Sequence, residues 1–259
     1  MNGAALITGA SSGLGEEFAL QLAREKRSLV LVARREDRLR EVAERARKAG
    51  AGEVTILASD LSRPDAAAEI HAKTSAAGIA VDYLVNNAGF GTRGRFDRLP
   101  LEREIEEINL NVGALVALTR LFLPTMIADR RGTIVNVAST AAFQPVPWMA
   151  TYAATKAFVL SFSEALSSEL QGSGITVLAL CPGPTRTEFQ QVASVENAAV
   201  PSFAYMDAAT VVREAISAAR RGKALKINGV INAIMAESTR FAPRGLVRKI
   251  AGAMFRGDS

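Results

Sequence analysis

Short apolar runs alternate with amphipathic ones along most of this chain. The runs AALIT (4–8), LVLVA (29–33), VTILA (54–58), VDYLVN (81–86), TIVNVA (133–138) and ITVLAL (175–180) are rich in β-branched residues. Near-continuous apolar runs of that length predict strands covered on both faces, as in a parallel sheet. Between them, 16–27 places Phe18, Ala19, Leu22 and Ala23 at helical spacing, and 36–50, 66–76, 102–127 and 147–170 predict further helices. Gly50 stops one of these, Gly172 and Gly174 end the last, and Pro147 suits its first turn. Strict alternation of strand and helix predicts an α/β fold: one doubly wound parallel sheet of the Rossmann type, with helices on both faces. No repeat and no Pro- or Ser-rich linker divides the chain, so 1–259 reads as one domain.

Composition narrows the picture little. Hydrophobic residues make up 49%, enough for a sizeable core. The single cysteine, Cys181, cannot form an internal disulfide, which points to a reduced, cytoplasmic setting. The start, MNGAALITGA, lacks the pattern of a signal peptide, and no apolar run is expected to reach the roughly 18 residues of a membrane span. Net charge is +5, which could attract anions, but no nucleic-acid motif is present and the reading is an arginine-rich surface. No metal site is expected.

In doubly wound sheets ligands bind beyond the carboxyl ends of the strands. After the first strand comes TGASSGLG, Thr8 to Gly15. Glycines at 9, 13 and 15 let a pyrophosphate approach the free amides at a helix N-terminus, where the dipole favours an anion. Gly9, Ser11, Ser12, Gly13 and Leu14 are the candidate contacts. The same letters fit a Gly-x-Ser-x-Gly nucleophile elbow, but the sole histidine, His71, stands at the wrong place in chain order to serve such a serine. After the second strand, Arg34 and Arg35 stand where an acid would hold a ribose 2′-hydroxyl, so a 2′-phosphate is the better guest. NADP(H) is therefore expected over NAD(H). After the third strand, Asp60, followed by Leu61, either accepts from an adenine amino group or caps the next helix. Asn86 and Asn87 offer amides to a cofactor or to the neighbouring strand, and Ala88 and Gly89 keep the backbone close to a ligand.

The fifth strand leads to Ser139, with Tyr152 thirteen residues on and Lys156 four beyond it. Residues at i and i+4 share a helix face. An ammonium beside a phenol favours phenolate, and a hydroxyl could polarise a carbonyl oxygen. Those are parts for moving a proton while a hydride crosses from a nicotinamide.

In TGASSGLG, NNAG (86–89), Ser139, YAATK (152–156) and PGPTRT (182–187), in this order and spacing, the chain resembles the short-chain dehydrogenase/reductase family over about residues 4–187. The resemblance implies Tyr152 as proton donor and acceptor. It implies Lys156 as the residue that lowers the tyrosine pKa and binds the nicotinamide ribose, and Ser139 as the one that orients substrate. It implies an asparagine in the fourth helix, matched by Asn111 rather than Asn109. It also implies a nicotinamide loop through Pro182, Gly183, Thr185 and Thr187, supports Asp60 as the adenine contact, and suggests a homodimer or homotetramer.

The segment 188–210 matches the family's variable substrate lid. Phe189, Val192, Phe203, Tyr205 and Met206 suggest an apolar wall there, with Phe90, Phe143, Val146 and Trp148 across the cleft, hence an apolar carbonyl or secondary alcohol. In the tail 241–259, Leu246, Val247, Ile250, Ala251, Met254 and Phe255 share one face, while Arg244, Arg248, Lys249 and Arg256 add charge. Such a helix docks on its own body or on another subunit more often than on an anionic membrane. The expected activity is NADP(H)-dependent interconversion of a carbonyl and a secondary alcohol. The alternative is an NADP(H)-binding regulator without turnover, but its usual sign, a broken Ser/Tyr/Lys set, is absent.

Overall fold

The computed structural model describes residues 3–189, 193 and 205–255. Seven strands form one sheet in the order β3-β2-β1-β4-β5-β6-β7, every neighbouring pair parallel. They are β1 Ala4–Thr8, β2 Leu29–Ala33, β3 Val54–Ala58, β4 Val81–Asn86, β5 Gly132–Val137, β6 Ile175–Cys181 and β7 Leu225–Ile227. The helices are α1 Gly13–Arg24, α2 Glu36–Lys48, α3 Ala66–Ala76, α4 Leu101–Ile108, α5 Leu115–Ala128, α6 Ala150–Glu169, α7 Ala208–Arg220, α8 Val230–Ser238 and α9 Arg244–Phe255.

Consecutive strand residues feed opposite layers, which is why the strands read as unbroken apolar runs. Ile7, Leu31 and Val85 face α1, α2 and α7, against Phe18, Leu22, Leu39 and Val212. Leu6, Val30 and Leu84 face the other way, against Ile70, Leu118, Phe122 and Met126 of α3 and α5. The chain winds outward from β1 to β3, then returns to place β4 on the other flank of β1. The helices that follow β1 and β4 lie on opposite faces of the sheet, and a crevice opens at that reversal.

Several boundaries differ from the sequence expectation. The first helix starts at Gly13, inside the glycine loop, rather than at 16. The helix expected from Pro147 starts at Ala150, because Trp148 adopts φ 73° and Met149 is the N-cap. The helix expected as 102–127 is continuous in path but changes winding: Asn109–Ala114 form a π-helical segment between α4 and α5. Such wider turns gather at functional positions, and Asn111 lies in this one. Gly50 (φ 104°), Gly172 (φ 76°) and Gly174 (φ 87°) terminate helices as expected. β7 completes the sheet's far edge, and of β7 and the last three helices the sequence reading anticipated only the tail helix.

Among the described residues, the stretch Leu101–Ala128 is long and apolar enough to cross a membrane by length and composition. The sequence reading missed it because charged residues at its start and Arg120 interrupt the run. Here the stretch packs Leu118, Phe122 and Met126 against the sheet.

Candidate active site

The loop after β1 is clamped to the loop after β4. The Thr8 hydroxyl accepts from the backbone N–H of Asn87 and of Ala88, each at 2.9 Å, and Asn87 Nδ2 donates to the carbonyls of Thr8 (2.9 Å) and Gly9 (3.3 Å). The Asn87 amide thus serves the neighbouring loop. Asn86 does the same deeper down, donating to Asn136 Oδ1 (2.8 Å) and Thr119 Oγ1 (3.0 Å). The glycine loop folds back on itself so tightly that a Cβ on Gly15 would lie 2.2 Å from the Gly9 carbonyl oxygen. Gly9 sits at φ 63° and Gly13 at φ 58°. The N-cap of α1, Ser12, makes no side-chain capping bond, which leaves the first-turn amides without a side-chain cap.

Above these loops opens a cavity of about 490 Å³. Gly9, Ser11, Ser12, Gly13 and Leu14 line one side of it. Arg34, Arg35, Asp60, Leu61, Asn87, Ala88 and Gly89 follow along the strand ends, then Ser139, Tyr152, Lys156, Pro182, Gly183, Thr185 and Thr187. One expected catalytic residue stands behind the wall instead. Asn111 is buried, donating to the Phe90 carbonyl (2.9 Å) and the Thr155 hydroxyl (3.1 Å) and accepting from the Phe90 N–H (3.1 Å). Its side chain fixes the backbone beside Gly89, where a Cβ would come 2.7 Å from Asn111 Oδ1.

The polar end of the cavity carries mixed charge. Arg34 pairs with Glu106 at 3.4 Å, and Arg35 donates to Ser11 Oγ (3.3 Å) and Glu188 Oε2 (2.9 Å). The Arg35 guanidinium holds Glu188 below the usual carboxylate range, against burial. Burial also works to raise Asp60. The N–H and hydroxyl of Ser62, with Arg34 and Arg63, outweigh it and hold the carboxyl low. Asp60 Oδ1 accepts from the N–H and hydroxyl of Ser62 and the residue borders the cavity; it does not cap the next helix, whose N-cap is Asp65.

At the other end, Ser139 Oγ accepts from Ala141 N–H at 3.1 Å, which fixes the hydroxyl at the start of a short 3₁₀ turn. The Tyr152 ring packs against Phe189, centroids 5.4 Å apart. Lys156 Nζ donates to the Val137 carbonyl at 2.8 Å and lies 5.8 Å from the Tyr152 ring centroid. The expectation of a lowered phenol pKa is corrected here. Burial pushes Tyr152 up to about 12; Ser139 opposes, and Glu107 adds to the rise. Burial also pulls Lys156 down to about 8, with Glu107 opposing. Burial is the largest cause of both shifts, so the chain by itself holds a neutral phenol.

The apolar wall is formed by Phe90, Val146, Met149, Phe189, Tyr205 and Phe255, with Gln144 as a polar member. Phe143 and Trp148 do not line it: Phe143 packs against the core around Leu160, and Trp148 borders a separate hollow with Phe96 and Leu99. Met206 packs into the core and bridges to Thr185, while Val192, Phe203 and Arg256 lie outside the described residues. Sequence reasoning placed Phe255 on the apolar face of the tail helix but not in the cavity. Arg93 Nε holds the Phe255 carbonyl at 2.9 Å, and Gly252 packs against Pro147.

This crevice, with a glycine loop at one end and a Ser/Tyr/Lys set at the other, defines a dinucleotide-dependent oxidoreductase of the doubly wound class. The family model described as short chain dehydrogenase matches residues 3–198, and the chain belongs to the short-chain dehydrogenase/reductase family. It is 33% identical over 250 residues to a very-long-chain 3-oxoacyl-CoA reductase of Rattus norvegicus, covering 95% of this chain and 77% of that one. A short-chain dehydrogenase from Sphingobium yanoikuyae, solved in complex with NADPH, superposes with a TM-score of 0.84 at 35% identity, covering 95% of both chains. The bulky-bulky ketone specific alcohol dehydrogenase from Comamonas testosteroni gives 0.80 at 31% identity, covering 95% of this chain and 93% of that one.

Proposed function

We propose that this oxidoreductase uses NADP(H) and interconverts an apolar ketone and a secondary alcohol. The observation that carries this reading is the single cavity that runs from the glycine loop at Gly9 and Gly13 to Ser139, Tyr152 and Lys156. A protonated phenol in that place is ready to donate to a carbonyl oxygen.

The residues fit a dinucleotide. Gly9 and Gly13 line the cavity, and the loop folds too tightly for a Cβ on Gly9 or Gly15 and leads straight into the N-terminus of α1. Arg34 and Arg35 would hold a 2′-phosphate, Asp60 and Leu61 the adenine, and Lys156 the ribose near Gly89. Pro182, Gly183, Thr185 and Thr187 would close on the nicotinamide end. A bound nicotinamide supplies the hydride. Ser139 donates its hydroxyl to the substrate oxygen and orients it, and Tyr152 gives that oxygen its proton. Lys156 holds a positive charge beside the phenol, which stabilises the phenolate left behind. Asn111 keeps the Phe90 backbone in place under the substrate.

Phe90, Val146, Met149, Phe189 and Phe255 favour an apolar substrate body, which agrees with the ketone and oxoacyl substrates named for the similar proteins. Leu101, Ile105 and Ile108 of α4 and Phe158 of α6 are exposed on neighbouring helices, and a symmetric dimer would cover them. A reducing, cytoplasmic compartment suits the buried, unpaired Cys181. The test is fluorescence titration with NADPH and NADH at fixed salt, followed by NADPH oxidation with a panel of bulky ketones. Tighter NADPH binding and ketone-dependent oxidation are expected; equal binding of both cofactors would remove the 2′-phosphate assignment.

A further inference from the structure

Two buried carboxyls on α4 lie within electrostatic reach of the Tyr152–Lys156 pair, and the reaction described above does not use them. Glu104 and Glu107 are 5% and 0% exposed. Neither meets a lysine or arginine in an ion pair among the described residues. Thr92, in the loop after β4, stands between them. Its Oγ1 is 2.5 Å from Glu104 Oε1 and 2.8 Å from Glu107 Oε2, and its N–H donates to that same Glu107 oxygen at 2.9 Å. The Thr151 hydroxyl donates to the other oxygen of Glu104. Glu107 Oε1 is buried and has no partner.

The proton count fixes the state of this cluster. The Thr92 hydroxyl has one hydrogen and can donate to one carboxylate only. The second short oxygen–oxygen contact needs a hydrogen from a carboxyl. Two ionised carboxylates flanking one buried hydroxyl would also repel without a compensating cation. Burial raises Glu107 to about 7, with Thr92 opposing, Glu104 adding to the rise and Lys156 lowering it. Glu107 is therefore the member that carries the proton, and it gives it up near neutrality.

The groups that feel this change are on α6. Ionised Glu107 supports the Lys156 ammonium against its burial and pushes the Tyr152 phenol further up. Cys181 of β6 acts on the same two groups but is itself pushed up to about 12 by burial, so its thiol stays neutral. Arg103 of α4 is turned to Glu106 and the Phe90 ring and neutralises neither carboxyl. The mechanical link is equally short. Gly91 precedes Thr92, and a Cβ there would lie 2.9 Å from Tyr152 Cδ2; Thr151 precedes Tyr152.

We propose that Glu104, Thr92 and Glu107 form a carboxyl cluster that holds one proton below neutrality, and that Glu107, once it has released that proton, is the countercharge that keeps Lys156 ionised, which makes Glu107 a positioning residue for the reaction. The inference rests on the role proposed for Lys156, and two independent readouts separate its failure from that of the role.

The first readout needs no activity. A carboxyl raised in the folded state stabilises fully below its unfolded pKa, and the benefit is lost as pH rises through about 7. The melting temperature of the wild type is therefore expected to fall more between pH 5 and 7 than that of E107Q. Parallel curves would overturn the shared proton, whatever the catalytic role of Lys156. The second readout is the pH profile of kcat/KM for ketone reduction. In E107Q the alkaline limb is expected to move to lower pH by about 1 unit, since Lys156 then loses its proton earlier. E104Q removes the like charge but leaves the Glu107 carboxyl, and is expected to keep that limb at or above its wild-type position. Coincident limbs in wild type and E107Q would reduce Glu107 to a structural residue. If E107Q does not fold, T92V replaces it in the melting comparison, where a pH dependence equal to the wild type would contradict the proposal.

Discussion

Arg35 donates to Glu188 Oε2 at 2.9 Å across the mouth of the cavity, so the arginine assigned to a 2′-phosphate is already engaged by a carboxylate of the chain. Both side chains are substantially exposed, at 47% and 40%, so the pair is weak enough to yield to a better anion. An exposed pair of this kind contributes at most about 1 kcal/mol. Removing the competing charge in E188Q is expected to tighten NADPH binding about two- to fivefold and leave NADH binding unchanged. Equal effects on the two cofactors would place the 2′-phosphate elsewhere.

The arginines themselves give the converse test. Charge-assisted bonds contribute roughly 1.5–3 kcal/mol each, so the double variant Arg34→Ala with Arg35→Ala is expected to shrink the NADPH-over-NADH preference by about tenfold or more. The ratio of dissociation constants from titration checks this. An unchanged ratio would contradict the assignment.

The glycine loop supplies a stability prediction. The Cβ of Gly15→Ala would lie 2.2 Å from the Gly9 carbonyl oxygen, a backbone atom that cannot turn away as a side chain can. Overpacking of this sort costs about 1–3 kcal/mol. Denaturant unfolding is expected to show that loss, and NADPH titration a weakened site. Gly78→Ala is the control: nothing lies within 4 Å of its Cβ, so its cost comes from φ 67° alone and cofactor binding stays intact.

Phe255 reaches the cavity from the last helix, whose Val247 and Ala251 dock on the body while Leu246 and Ile250 remain exposed. Docking therefore covers a narrower stripe than the apolar face seen in the sequence. Phe255→Ala is expected to raise KM for bulky ketones about fivefold through lost apolar contact, with NADPH affinity unchanged. Steady-state kinetics with a small and a bulky ketone separates the two cases. An equal rise for both would show that the helix end holds the site together rather than touching the bulky substrate.

The sheet and most of the site were legible because each rests on a local signal. Unbroken runs such as Leu29–Ala33 mark buried parallel strands, and the glycines at 9, 13 and 15 and the Tyr152–Lys156 spacing are short patterns with one physical use. What was not legible depends on contacts between distant segments. Nothing near Trp148 announces φ 73°, and that turn delays α6 until Ala150. Three-residue β7 is too short for a period to show. Asn111 is identifiable by type, but only the fold reveals that its amide is spent on Phe90 and Thr155. Glu104 and Glu107 read as ordinary helix-surface acids until Thr92 is brought between them. Net desolvation depends on the whole packed environment, which is why the direction of the Tyr152 shift did not follow from its spacing to Lys156.

The most direct test of the proposed reaction is turnover of Tyr152→Phe measured beside its NADPH binding. Losing the phenol proton removes a general acid, so ketone-dependent NADPH oxidation is expected to fall about 100-fold or more while the NADPH dissociation constant stays within about twofold. Wild-type turnover in Tyr152→Phe, with cofactor binding intact, would contradict the account.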